Sequence, residues 1–210
     1  MPGVPAIEAA VFDLGGVVID VSLSRTVAAW AEATNLAPED VRRRLLADLA
    51  DYYQFERGAM EPDEFRRRVG RMLGRPLADD AFDRGWQALL GGPLPGIETL
   101  LARLAGRLRL ALLTNTNVLH SQHWRQTCAG LLGRFEQVFE SWRMGCRKPE
   151  PACFRQVLAY LALEPARVAY LDDGAENVEA AGRLGMAARL VRGPEEVARA
   201  LEGLGVAVGE

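Results

Sequence analysis

Five short runs rich in β-branched or aliphatic residues, at positions 9–12, 109–113, 137–140, 168–171 and 187–191, read as strands. Polar residues that a sheet does not need lie just beyond four of them. Asp13 follows the first, Thr114 and Asn115 the second, and Asp172 with Asp173 the fourth, while the loop after the third leads to Lys148. Between the later runs, residues 95–104, 119–129, 151–161 and 175–184 carry apolar side chains at helical spacing, and Gly106, Gly133 and Gly185 lie past three of them as stops. Strands that alternate with helices of this length imply parallel strands joined by right-handed crossovers. The expected fold is an open, Rossmann-like α/β sheet with helices on both faces. Ligands of such sheets sit at the carboxyl ends of the strands, which is where the polar residues fall.

The connection after the first strand breaks the alternation. Residues 21–91 contain no convincing strand and read as helical throughout, over 23–33, 38–50, 62–73 and 78–90. Pro38 and Pro62 are each followed by two acids, as the first turn of a helix prefers. An all-helical cap inserted at 21–91 is therefore expected, on a core made of 1–20 and 92–210. Gly91 to Gly96 reads as the hinge back.

Composition excludes more than it proposes. With 210 residues, 49% apolar and 25% charged, the chain is an ordinary globular protein. It lacks an apolar stretch of about 20 residues, and its first basic residue is Arg25, so neither a membrane span nor a secretory signal is expected. Three cysteines without a close-spaced pair make a disulfide framework improbable and point to a reducing cytoplasm. A net charge of -3 offers no footprint for nucleic acid, and the arginine runs 42–44 and 66–68 have acids close by, as solvated helix faces do. All the basic residues but one are arginine. The single lysine, Lys148, is a compact charge suited to one oxyanion.

Adjacent carboxylates at the end of an apolar strand repel each other unless a cation neutralises them. Asp13, Asp172 and Asp173 thus make a carboxylate set for Mg²⁺, an ion that takes few protein ligands and commonly works with phosphate. Thr114 can donate to a phosphoryl oxygen and Lys148 can neutralise another. Backbone amides of the Gly15–Gly16 turn can approach closely because no side chain obstructs them. Any one of these residues has a plain alternative as a helix cap or turn former; the set on one rim points to a phosphoryl site.

The segments Val11-Phe12-Asp13-Leu14-Gly15-Gly16-Val17-Val18, Leu112-Leu113-Thr114-Asn115-Thr116-Asn117, Arg147-Lys148-Pro149-Glu150 and Tyr170-Leu171-Asp172-Asp173 resemble, in order, the four motifs of the haloacid dehalogenase-like (HAD) hydrolase superfamily. Phe55-Glu56-Arg57-Gly58, Trp86, and Asn115 to Asn117 with His120 and Trp124 further resemble the branch that includes a bacterial α-D-glucose-1-phosphate phosphatase. The resemblance implies a Mg²⁺-dependent phosphatase of a small metabolite such as a sugar 1-phosphate. It makes Asp13 the nucleophile, Thr114 and Lys148 the holders of the phosphoryl group, and Gly15, Gly16 and Asn115 substrate contacts. Asp13, Asp173, the Gly15 carbonyl and, through water, Asp172 would hold the ion.

One residue departs from the pattern. Most phosphatases of the superfamily carry a second aspartate, the general acid and base, where this chain has Gly15. General acid help is worth about 10² to 10⁴ in rate, and a sugar 1-phosphate, with its more acidic leaving oxygen, needs less of it. Glu56 is a conceivable substitute for positioning water. Rival readings are a degenerate binding or regulatory protein with little turnover, a 2-haloacid dehalogenase, which would need no acidic pair, and a response-regulator relay, in which the pair would precede the nucleophile. His120 and His123 have a zinc-like spacing but no nearby third ligand in sequence. Cys128 and Cys153 read as packing residues, as do the four tryptophans, with Trp86 or Trp124 able to line the cleft.

Overall fold

The computed structural model describes residues 6–209. Its centre is a parallel sheet of β1 (Ala9–Phe12), β4 (Arg109–Thr114), β5 (Gln137–Glu140), β6 (Val168–Asp172) and β7 (Ala187–Leu190), in the order β5-β4-β1-β6-β7. The fold class is the expected open α/β sheet. Alternate side chains of each inner strand serve opposite faces, because the pleat has a period of two. Ala10, Phe12, Leu110 and Leu112 pack with α6 (Ile97–Leu104) and α12 (Gly193–Glu202). Val11, Leu113 and Tyr170 pack on the other face with α10 (Pro151–Leu161) and α11 (Ala175–Arg183). Both faces being covered, these strands have no polar side, and each large side chain withdrawn from water contributes about 1.5–3 kcal/mol.

Register turns that packing into a site. Phe12 lies opposite both Leu112 and Leu171, so the chain positions that follow these residues emerge together on one rim. The loops there lead to α7 (Val118–Thr127), α8 (Ala129–Leu132) and α9 (Ser141–Met144).

A separate apolar cluster, with Trp30, Phe65, Phe82 and Trp86 at its centre, holds α1 (Leu23–Thr34), α2 (Pro38–Ala47), α3 (Ala50–Glu56), α4 (Pro62–Leu73) and α5 (Asp79–Gln87) together. Several expectations for this region need correction. The segment is not helical throughout: β2 (Ile19–Val21) and β3 (Leu90–Pro93) pair antiparallel, with Ile19 opposite Pro93 and Val21 opposite Leu90. The supposed hinge is therefore partly a strand, hidden because two glycines and a proline read as a turn. The expected helix at 38–50 is two helices; Asp48 is extended and its carboxylate accepts the Ala50 N–H at 2.8 Å. Helix α12, opened by Gly-Pro-Glu-Glu, is an addition.

One further reading changes, and Cys153 packs in the core as expected. Arg66 is not merely solvated: it binds both oxygens of Asp83 at 2.9 Å and ties α4 to α5. The sulfurs of Cys146 and Cys153, seven positions apart, lie 2.8 Å from each other as buried free thiols. Burial, with Cys146 beside it, pushes the Cys153 thiol up, so it has no nucleophilic character.

Candidate active site

Asp13 leaves β1 with its N–H bonded to the Leu171 carbonyl at 2.8 Å, and its Oδ1 accepts the Leu14 N–H at 2.7 Å. Lys148, 1% exposed, reaches Asp13 Oδ1 and Asp172 Oδ2 with its Nζ, both at 2.7 Å. Asp172 is saturated. Its Oδ2 also accepts the Tyr170 hydroxyl, and its Oδ1 accepts Gly174 N–H at 2.7 Å and Asn177 Nδ2 at 2.9 Å.

The charges follow from this geometry. Burial pushes the Asp13 carboxyl up to about 7, Lys148 opposes the rise and Asp172 adds to it. Burial would lower Lys148, but the two carboxylates outweigh it and hold the ammonium above its usual range. Asp172 stays below the ordinary carboxylate range because Lys148 and its other donors overcome the penalty of burial. Asp173 is raised, first by burial and then by Asp172.

Asp13, Asp172 and Asp173 each offer a carboxylate oxygen, all within 4.8 Å of one another. Hard oxygen donors of net negative charge suit a divalent cation, and the raised carboxyls of Asp13 and Asp173 are what such an ion would relieve. Asp172 has both oxygens engaged, so it fits contact through water better than direct ligation. Gly16 makes room for this set: its φ is +72°, and a β-carbon there would run into the Asp173 carboxylate.

A cleft of about 150 Å³ opens on the rim and is lined by Asp13, Gly15, Thr114, Asn115 and Lys148 among others. Asn115 was expected to touch substrate. It lines the cleft, and its side chain brackets the lysine, with Nδ2 donating to the Lys148 carbonyl at 3.0 Å and Oδ1 accepting the Lys148 N–H at 2.8 Å. Thr114 is buried, and its hydroxyl makes only a long 3.4 Å contact with the Asn115 carbonyl.

Two fastenings join the α1–α5 region to the loops of the sheet around this cleft. On one side the Trp86 ring stacks on His120 with centroids 4.5 Å apart. Its Nε1 donates to Asn117 Oδ1 at 3.3 Å, and its carbonyl accepts from His120 Nε2 at 3.0 Å. That acceptor fixes the tautomer: Nε2 carries the hydrogen and Nδ1 accepts from Asn117 Nδ2 at 3.1 Å. Burial pushes His120 down to about 4, and both its nitrogens are engaged, which leaves nothing for zinc.

On the other side, Arg147 Nε donates to the buried Glu56 at 2.7 Å, and Arg57 Nε donates to Glu150 at 2.8 Å. Neighbouring cap residues thus grip positions on either side of Lys148. Glu56 is consequently not a water-positioning group in the cleft, as its sequence position allowed. Sequence reasoning also left open which tryptophan faces the cleft. Trp124 does, with its buried Nε1 lacking a partner among the described residues.

A family model described as haloacid dehalogenase-like hydrolase matches residues 7–185. The chain is 26% identical to D-ribitol-5-phosphate phosphatase of Bacteroides thetaiotaomicron over 83% of its own length and 87% of that protein's. It is 26% identical to a sesquiterpene phosphatase of Aspergillus oryzae over 85% and 87%. A crystal structure of a HAD family enzyme from B. thetaiotaomicron, in complex with magnesium and inorganic phosphate, superposes with a TM-score of 0.76 at 26% identity, covering 89% of this chain and 95% of that one. With the family model spanning most of the sequence and the four strand-end motifs gathered on one rim, this chain belongs to the haloacid dehalogenase-like hydrolases.

Proposed function

We propose that the protein is a Mg²⁺-dependent phosphatase that hydrolyses a small phosphate monoester through an aspartyl-phosphate on Asp13. The observation that carries this reading is Lys148, buried on the rim between Asp13 and Asp172 at 2.7 Å from each. A fixed ammonium beside a carboxylate can neutralise one oxygen of a phosphoryl group as the other oxygen of Asp13 attacks phosphorus. The P–O bond to the substrate alcohol breaks, the alcohol oxygen takes its proton from water, and a second water displaces Asp13 to release inorganic phosphate. Thr114 would donate to a phosphoryl oxygen. Asp13, Asp173 and the Gly15 carbonyl, with Asp172 behind water, would hold the ion. Bound there, it supplies positive charge that offsets the charge on the transferring group.

Gly15 leaves the leaving oxygen without an acid, and Asp13 is the only carboxylate among the described residues lining the cleft. Turnover should therefore favour acidic leaving groups, which keeps sugar 1-phosphates among the first compounds to test. Relatives do not choose between substrates, because a sugar-alcohol phosphatase and a sesquiterpene phosphatase are equally distant at 26%. The test is p-nitrophenyl phosphate and glucose 1-phosphate with Mg²⁺ or with EDTA, for the wild type and Asp13→Asn. Mg²⁺-dependent release of phosphate that falls by at least about 10³-fold in Asp13→Asn is expected. Turnover that survives the substitution, or is indifferent to EDTA, overturns the assignment.

A further inference from the structure

Beside the catalytic cleft the cap encloses a second cavity of about 320 Å³, and its character is opposite. Leu23, Leu45, Leu49, Phe65, Val69 and Met72 make its apolar wall. Val21, Tyr52 and Leu89 line both spaces, so the cavity adjoins the cleft that holds Asp13 and Lys148 along these side chains. Two side chains on its wall, Val21 and Leu46, are large hydrophobics left 40% and 51% exposed. On the opposite side it is bounded by Asp48, Asp51 and Arg68, of which Arg68 and Asp51 are ion-paired. One polar atom inside is unexplained: the Thr26 hydroxyl, on a residue 1% exposed, has no hydrogen-bond partner among the described residues. Buried orphan hydroxyls are rare in native proteins, and one on a cavity wall is a donor kept for whatever enters.

The wall of the cleft itself points the same way. Its polar side chains are largely committed inside the protein. Asn115 holds Lys148, Asn177 Nδ2 holds Asp172, and both nitrogens of His120 are bonded, so a sugar would find few free partners for its hydroxyls. Leu14, Ile19, Val21, Leu89 and Leu90 complete the lining with hydrocarbon. A site recognises by what it leaves unpaired, and here that is the Trp124 Nε1 donor and, beyond the phosphoryl end, apolar surface.

Resting on the phosphatase reading above, we infer that the preferred substrate is an amphiphile: a phosphate monoester whose hydrocarbon tail lies in the cap cavity while its phosphate meets Asp13 and Lys148. The tail carries at most one polar group, placed to meet Thr26. Such a tail compensates in part for Gly15, since binding energy from a remote, unreacting part of the substrate can be used to orient the phosphoryl group at the nucleophile.

A homologous series separates tail from chemistry. Straight-chain alkyl phosphonates from ethyl to octyl cannot be hydrolysed and differ only in length. Their inhibition constants against p-nitrophenyl phosphate hydrolysis, at fixed Mg²⁺, should fall by about fourfold per methylene until the cavity is filled, which is the ~0.8 kcal/mol of one buried CH₂. Leu46→Asp, at a half-exposed position where folding is not at risk, should compress the octyl-to-ethyl ratio by at least about tenfold. In turnover, octyl phosphate should surpass ethyl phosphate, which has an equivalent leaving group, in kcat/KM. A flat series, an unaltered ratio in Leu46→Asp or equal turnover of ethyl and octyl phosphate overturns the tail while p-nitrophenyl phosphate activity, abolished by Asp13→Asn, still supports the phosphatase. Loss of the phosphatase reading would show instead as no Mg²⁺-dependent cleavage of p-nitrophenyl phosphate at all.

Discussion

On the core side of the cleft, Lys148 is 1% exposed and has each of its two carboxylate partners at 2.7 Å, whereas on the cap side Val21 and Leu46 present 40% and 51% of their surface beside an apolar cavity. The core half is polar, and around Lys148 and Asp172 its groups are held by hydrogen bonds. The cap half is hydrocarbon with an orphan hydroxyl. Chemistry needs charges in fixed places before substrate arrives, because reorganising them during reaction costs rate. Selection of a tail needs only area and shape, which side chains on short helices supply. The same division governs what each half loses on mutation.

The largest effect is expected in the core half. Lys148→Met keeps an unbranched side chain one atom shorter but leaves Asp13 and Asp172 facing each other without their cation. Breaking a buried pair in this way costs about 3–5 kcal/mol of stability, and loss of one donor to the transferring group costs roughly 10² to 10³ in kcat. The rate is checked by kcat on p-nitrophenyl phosphate, and the stability by urea denaturation with EDTA and with Mg²⁺. The loss should be larger in EDTA, since a bound cation relieves the same carboxylates. An unchanged midpoint in EDTA would mean that the lysine does not bridge them.

That rim was largely legible in the sequence, and the reason is physical. A strand buried on both faces has no use for Asp13, Thr114 or the Asp172–Asp173 pair at its end, so each stood out against apolar neighbours. Lys148 stood out as the only lysine beside so many arginines. What was not legible depends on contacts across long stretches of chain. Nothing local says that Asn115 brackets Lys148 across 33 positions, that Glu56 pairs with Arg147 across 91, or that Cys146 and Cys153 meet. The β2–β3 ribbon escaped because a three-residue strand has too few alternations to register, and its partner is written in Gly and Pro. Cap helices show which residues are apolar but not which are left lining a cavity rather than filling a core.

The seam between the halves gives the next effect. His120 is neutral, donates to the Trp86 carbonyl and has its pKa pushed down to about 4 by burial. In the unfolded chain it titrates near 6.5. The unfolded state therefore binds the extra proton first. Stability from this residue is complete above about pH 6.5, is lost as pH falls toward about 4, and changes no further below that. A shift of this size corresponds to roughly 3 kcal/mol. Comparing urea midpoints at pH 7.5 and 4.5 for the wild type and His120→Gln tests it, since the variant should be less stable at pH 7.5 and show a flatter dependence. Equal pH dependence in the two would place the acid sensitivity elsewhere, and the Trp86 fastening would then not be the weak point of the seam.

The smallest and most discriminating effect lies where the core loop touches the cap ribbon. A β-carbon on Gly15 would stand 2.9 Å from Val21 Cγ2, closer than side chains tolerate. Gly15→Asp alone must push Val21 aside, so the carboxyl it brings should be misplaced and turnover should change little or fall. Val21→Ala removes the obstructing methyl. In the double variant an acid near the leaving oxygen should raise kcat on ethyl phosphate by about tenfold, ~1.4 kcal/mol, less than a built general acid gives because the new group lacks supporting contacts. With p-nitrophenyl phosphate, whose leaving group needs no proton, kcat should stay level, so the ratio of the two rates is the quantity to follow. Val21→Ala alone should leave that ratio unchanged while weakening any dependence on tail length, because the same side chain also lines the apolar cavity. If the double variant loses activity on both compounds with its fold intact, the glycine serves the approach of the phosphoryl group itself, and the missing acid is not a vacancy that one substitution can fill.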